Sequence, residues 1–194
     1  EITDSVNYQS VKWLCDNYSG KIIFTSTCSV YGVNNDLIDE SAQPDPLSIY
    51  ASTKLKAEQY LLNHHDNCLV FRLGTLYGLG DTYSRIRLDL VANILTLRAV
   101  NGEPLSVFGG EQWRPLLHVR DVSTAIKHGI DNNITGLFNL CEKNYTIKEL
   151  AENIVETVAP EGIINYVDMP FEDLRNYKVS SSKFRDAGWQ PQHD

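Results

Sequence analysis

The chain has 194 residues, 42% of them apolar, which suits one domain, or one domain with a small lobe, built around a buried core. Its formal charge of −8, with no basic stripe to offset it, argues against a nucleic-acid partner, and no apolar run reaches membrane-spanning length. Four dispersed cysteines, with no Cys-x-x-Cys pair and no His-x-x-x-His, suggest neither a metal site nor a disulfide framework, so reduced thiols in the cytoplasm are expected.

The first informative element is a short apolar strand from Lys21, whose carboxyl end breaks into Thr25, Ser26, Thr27, Cys28 and Ser29 before Gly32. Hydroxyls at a strand's carboxyl end sit where open α/β sheets bind ligands. A helix is predicted next, from Tyr50 to Leu62, with apolar positions at Leu55, Ala57, Tyr60, Leu61 and Leu62; Pro44 and Pro46 bound it upstream. Tyr50 and Lys54 then share one helical face. A free phenol titrates near ~10, and a cation about 4 Å away at a partly buried site offers on the order of 4 kcal/mol, roughly three pKa units before desolvation opposes it. Any amphipathic helix with a tyrosine can produce this spacing, so the hydroxyl-rich strand end is what gives the pair weight.

Phe71 lies in a further strand. Residues 88–108 read as helix then strand, with Arg85 and Arg87 at the entry to a helix from Leu88 to Val100. Asp121 is predicted to cap a helix from Val122 to Ile130, and His118 to pack between Leu117 and Val119. Leu137 to Leu140 reads as a short strand rejoining the core. Thr146 is a hydroxyl cap for an amphipathic helix running to Val158, with Leu150, Ile154 and Val158 as its packing stripe.

Taken together, these segments resemble the extended short-chain dehydrogenase/reductases, specifically the NAD-dependent epimerase/dehydratase family acting on nucleotide sugars. Ser26 to Gly32 is similar to the family's Ser-Ser/Thr-x-x-Val-Tyr-Gly, and Pro46 to Lys54 to its Pro-x-Ser-x-Tyr-x-x-Ser-Lys, with Thr53 before the lysine. Phe71 to Gly78 is similar to Leu-Arg-x-x-Asn-x-Tyr-Gly, with Thr75 for asparagine and Leu79 for the following proline. Leu105 to Val122 is similar to Val-x-Gly-x-Gly-x-x-x-Arg-x-x-x-His-Val-x-Asp-Val, and the tail to Gly188-Trp189-Gln190-Pro191 resembles the closing pattern.

The resemblance implies roles. Thr27 is the catalytic hydroxyl, Tyr50 the acid-base and Lys54 its partner, which also holds the nicotinamide ribose. Ser26, Leu73 and Gly74 join Tyr50 and Lys54 at the cofactor. Cys28, Ser29, Thr75, Arg87, Arg114 and Arg175 face the substrate, a nucleotide-diphosphate sugar whose diphosphate the arginines hold. A guanidinium suits that task, since it presents a planar fork of donors to phosphate oxygens at any physiological pH. On the residues alone, Arg114 is also compatible with a surface ion pair, and Arg175 with a solvated face.

NAD is the implied cofactor, with NADP left open because the ribose-reading residue falls in a part the chain does not match. No Gly-x-x-Gly-x-x-Gly loop occurs in the sequence. The expectation is therefore a fragment, inactive alone and binding NAD weakly or not at all. Its expected fold class is α/β, the C-terminal half of a Rossmann-type parallel sheet plus a small mixed α/β substrate-binding lobe. Residues 1–80 would form the catalytic half, and 81–194 mainly the lobe, with 118–140 returning to the core. The resemblance also implies a homodimer through helices Val6 to Asp16 and Tyr50 to His64. The family's 4,6-dehydratases carry Asp-Glu where this chain has Cys28 and Ser29, which cannot supply an acid and a base near pH 7. Epimerisation by transient oxidation is favoured over a keto-sugar reductase, and a non-catalytic binding or assembly module is the alternative from another class.

Overall fold

The computed structural model describes residues 2–80, 83, 87–168 and 175–193; Arg85, one of the basic residues at the expected helix entry, lies outside them. A turn, α1 (Ile2–Asp4), passes through a π-helical stretch, Ser5–Gln9, into α2 (Ser10–Asn17). Strands β1 (Ile22–Thr27) and β2 (Val33–Ile38) flank a 3-10 turn, Cys28–Tyr31, and lead to α3 (Ile49–His64). Then come β3 (Cys68–Leu73), β4 (Thr75–Tyr77), α4 (Val91–Val100), β5 (Leu105–Phe108), β6 (Trp113–His118) and α5 (Val119–Asp131). The remainder is β7 (Gly136–Leu140), β8 (Lys143–Thr146), α6 (Ile147–Val158), β9 (Ile164–Val167), β10 (Asn176–Val179) and α7 (Ser182–Asp186).

The described strands form four small sheets. β1, β3 and β7 lie parallel with β3 in the middle, and β3 is buried along nearly all of Cys68-Leu69-Val70-Phe71-Arg72-Leu73, the near-continuous run a central parallel strand requires. Successive side chains serve opposite faces. Leu69 and Phe71 pack with Phe138, Leu140, Ala125, Phe184 and Trp189 on one side, while Val70 meets Phe24, Ala57 and Leu61 on the other. Helices thus cover both faces, as expected for an α/β layer structure. The register sets Thr27 beside Leu73 and Leu73 beside Leu140, so the three strands end level.

The other sheets are β10 beside β2, parallel; β4, β6 and β8, with the last pair antiparallel; and β5 beside β9, parallel. Gly32 ends the turn after β1 with φ of 69°, and a Cβ there would lie 2.1 Å from the Asp45 carbonyl oxygen, which is why the strand breaks at a glycine. Two helix starts differ from expectation. α4 begins at Val91 rather than Leu88, because residues 88–90 form a turn in which Arg87 chelates Asp89. α5 begins at Val119 and its cap is His118, whose Nδ1 accepts from the Arg120 amide, so Asp121 stands inside the first turn. Among the described residues no helix is long and apolar enough to cross a membrane.

Asp121 instead ties down the tail. It is fully buried and accepts from the backbone amides of Gln192 and His193 and from His193 Nδ1 at 2.9 Å; the His193 ring stacks on His118. Burial pushes this carboxyl up, but the bonds from the His193 ring and the two amides outweigh it and hold the group below the usual carboxylate range. Asp121→Asn is expected to cost about 1–3 kcal/mol at neutral pH, since it unmakes bonds to a buried acceptor. Because the folded pKa is depressed, that contribution is complete above the unfolded value near ~3.9 and disappears as pH falls through the folded value. Melting curves of the two proteins should accordingly converge at strongly acidic pH and separate above it.

Candidate active site

The level ends of β1 and β3, the start of α3 and the segment after β4 enclose a cleft of about 650 Å³. Ser26, Thr27 and Ser29 reach it from the β1 end, Leu73, Gly74 and Thr75 from the β3–β4 junction, and Tyr50 and Lys54 from α3. Arg87, Arg114 and Arg175 line the same cleft. Leu47, Ser48, Asp89, Leu90 and Tyr177 also line it and were not anticipated.

Tyr50 stands at the start of α3 because Ser48 caps the helix, its hydroxyl accepting from the Ala51 amide at 3.1 Å. In that first turn the helix dipole favours negative charge, a modest aid to a phenolate of roughly 0.3–1 kcal/mol. The expected depression of the phenol by Lys54 is not found. Burial raises the Tyr50 pKa, while the Thr27 hydroxyl and Arg87 pull it back. With Tyr50 47% exposed, the burial penalty is partial.

Lys54 spends its reach elsewhere. Its ammonium lies 4.4 Å from the centre of the Phe24 ring on β1, and burial draws its pKa down. Shared face did not mean shared contact: the flexible stem finds an aromatic platform on the strand beneath. Lys54 makes no hydrogen bond or ion pair with the described residues, which leaves its three donors for a ligand.

Thr27 is held by its own turn, its Oγ1 accepting from the Ser29 amide at 3.1 Å. Ser29 Oγ lies 3.1 Å from the hydroxyl of Tyr177, a buried residue of β10. Gly74 follows β3 where the backbone is crowded: a Cβ would lie 2.8 Å from the Pro115 carbonyl oxygen. Cys28 departs from its expected role. Its side chain is 1% exposed, does not line the cleft, and its Sγ donates to the Arg72 carbonyl oxygen at 3.2 Å. The 3-10 turn rotates this position into the core beside Val30, Tyr31 and Cys141, and burial pushes its thiol well up.

The cations differ in state. Arg87 is exposed and forms a two-bond pair with Asp89, both bonds 2.9 Å. Arg114 is 7% exposed, and its Nη1 donates to the carbonyl oxygens of Trp113 at 2.9 Å and Arg175 at 2.5 Å. It is therefore built into the cleft wall, and it anchors the backbone of exposed Arg175.

The parallel sheet, helix-covered on both faces and open at its carboxyl end onto a cleft of hydroxyls and cations, defines a Rossmann-type α/β fold. The family model for the NAD dependent epimerase/dehydratase family matches residues 6–141, and the chain belongs to that family. Among curated relatives, UDP-glucuronic acid decarboxylase 6 of Arabidopsis thaliana is 26% identical over 97% of this chain and 58% of its own length. Human dTDP-D-glucose 4,6-dehydratase is 28% identical over 88% of this chain and 52% of its own. The chain thus spans little more than half the length of these relatives. Among solved structures, the UDP-glucuronic acid 4-epimerase from Bacillus cereus, in complex with UDP-glucuronic acid and NAD, superposes with a TM-score of 0.79 at 25% identity, covering 97% of this chain and 63% of the other.

Proposed function

We propose that an enzyme carrying this chain epimerises a nucleotide-diphosphate sugar by transient oxidation of a sugar hydroxyl. The observation that carries this reading is that the Thr27 hydroxyl, the Tyr50 phenol and Lys54, whose ammonium has no polar partner among the described residues, line one cleft together with Arg114 and Arg175. Thr27 orients the sugar hydroxyl, and Tyr50 takes its proton and later returns it. Arg114 and Arg175 supply positive charge for the diphosphate on a chain that is otherwise acidic.

The residues present fit one end of NAD. Lys54, partly buried and without a polar partner among the described residues, suits the ribose hydroxyls of the nicotinamide half, with Ser26, Leu73, Gly74 and Tyr50 around it. NAD, when bound, supplies the acceptor and donor of hydride. NADP fits the same residues, since they are assigned to the nicotinamide half that the two cofactors share.

The buried Cys28, with its thiol pushed up, supports epimerisation over dehydration, since it offers no acid or base beside Thr27. The same proposal assigns residues 1–80 and 118–140 to the catalytic half and the rest of 81–194 mainly to a substrate lobe. It includes a cytoplasmic setting, which keeps the four buried cysteines as thiols, and a homodimer through α2 and α3, near which Val6 and Trp13 are 64% and 66% exposed.

The test is turnover of UDP-glucuronic acid and UDP-glucose with trace NAD, followed by proton NMR. Epimerisation gives the 4-epimer without net reduction of cofactor. A 4-keto sugar reduced at the expense of stoichiometric NADPH would instead establish a reductase. Binding of the sugar nucleotides without turnover in either assay would establish the binding module and overturn the enzymatic reading.

A further inference from the structure

A buried ion pair, Glu58 with Arg72, is bonded to Ser26 of the cleft and has no role of its own in that chemistry. Glu58 follows Lys54 by one helical turn and Tyr50 by two, so the three share a face of α3. Glu58 is 1% exposed, and its carboxylate accepts from Ser26 Oγ at 2.7 Å, from Arg72 Nε at 3.1 Å and from Arg72 Nη2. The Arg72 guanidinium in turn lies 4.7 Å from the centre of the Tyr31 ring, and Tyr31 donates to Asn139 Oδ1 at 2.8 Å. α3, β1, β3, β7 and the 3-10 turn therefore meet at one ion pair.

Ser26 lines the cleft, and the sequence ties Arg72 and Tyr31 to residues that line it. Ser26 precedes Thr27, Arg72 precedes Leu73 and Gly74, and Tyr31 closes the turn that carries Ser29. An ion pair this deep is a poor source of net stability, because desolvation offsets most of its attraction. What the planar, two-point contact does supply is a single allowed placement of helix on strand. Sliding α3 by one residue would carry Glu58 about 1.5 Å along the axis and roughly 100° around it, leaving both charges unpaired.

We infer that Glu58, gripped by Arg72 and Ser26, is a positioning residue that fixes α3 against β1 and β3 and so sets where the Tyr50 phenol stands in the cleft it shares with the Thr27 hydroxyl. The inference rests on the roles proposed above for Tyr50 and Thr27. It is tested by NMR titration of the 194-residue chain carrying tyrosine labelled at Cζ, with Tyr50 assigned through Tyr50→Phe and melting recorded in parallel. Glu58→Asp and Arg72→Lys both conserve every charge while breaking the two-point geometry. The ionisable groups around the phenol, Lys54 on its own helix and Arg87, Asp89, Arg114 and Arg175 across the cleft, are the same in all variants.

Each of the two variants is expected to move the Tyr50 titration upward by about half to one pH unit, as the phenol drifts from the Thr27 hydroxyl, whose proximity draws its pKa down. Leu61→Ala, a fully buried core change on the same helix, should lower the melting temperature with the Tyr50 titration unmoved. If Glu58→Asp and Arg72→Lys behave as Leu61→Ala does, the positioning role is refuted. Should one of them fail to fold, the other decides. The catalytic reading fails separately: Tyr50→Phe with intact turnover would overturn that reading and leave the titration result standing.

Discussion

Tyr50→Phe in the enzyme carrying this chain is expected to lower kcat by on the order of 10²- to 10⁴-fold, the range that a positioned general acid-base contributes. The substitution deletes one hydroxyl from a residue that is 47% exposed, so folding stability should change by less than about 0.5 kcal/mol. The pH profile carries more information than the loss itself. With the folded phenol raised above its ordinary value, the phenolate is a small fraction at neutral pH and grows about tenfold per unit as pH rises. Native kcat should therefore climb through the neutral range, whereas the residual activity of the variant should not follow the phenol. A native profile flat from pH 6 to 9, or a variant that retains the slope, would transfer the acid-base role to another group.

Arg72→Met should destabilise the fold by about 3–5 kcal/mol, because it strands a carboxylate that is 1% exposed with only a serine hydroxyl for company. Replacing both partners, Glu58→Leu with Arg72→Met, should recover most of that loss, since an apolar pair of similar volume carries no desolvation debt. Urea unfolding followed by far-ultraviolet circular dichroism measures both. A single variant within about 1 kcal/mol of native would mean that water reaches Glu58. A double variant as unstable as the single would show that the ion pair itself holds these elements together. Stability and positioning are thus read independently: the double variant can be stable and still let α3 drift.

The parts of this structure that were legible in sequence are those whose information is local. β1 announces itself by an apolar run ending in hydroxyls, α3 by helix formers behind two prolines, and α6 by Thr146 and Glu149, which form a reciprocal capping box. Motif resemblance carried the rest of the cleft, including Arg114, whose spacing alone says nothing about burial. What escaped depended on distant residues. β2, Val33-Asn34-Asn35-Asp36-Leu37-Ile38, is too polar to read as a strand, and it becomes one because β10, far along the chain, lies beside it. Lys54 was placed on the correct face, yet the ring that takes its ammonium belongs to β1. Cys28 follows Thr27 of the cleft directly in sequence, but one turn of 3-10 helix is enough to turn it inward. Glu58 left a usable trace: a carboxylate in register with Tyr50 and Lys54 on the face that must be buried announces a buried partner.

The pairing of β2 with β10 gives the two sides of the cleft different histories. Thr27, Tyr50, Lys54 and Gly74 are brought together by segments close in sequence, and loops of that size close at little entropic cost. Ser29 meets Tyr177 only after most of the chain has been synthesised, through a contact of high sequence separation of the kind that forms late and slowly. Partial opening that releases β10 would therefore dismantle the Tyr177 side and leave the phenol, the threonine and the lysine assembled. Hydrogen exchange along such a molecule would run in two tiers, and an intermediate trapped early in refolding would hold the corner of Thr27, Tyr50 and Lys54 complete with Tyr177 still unplaced.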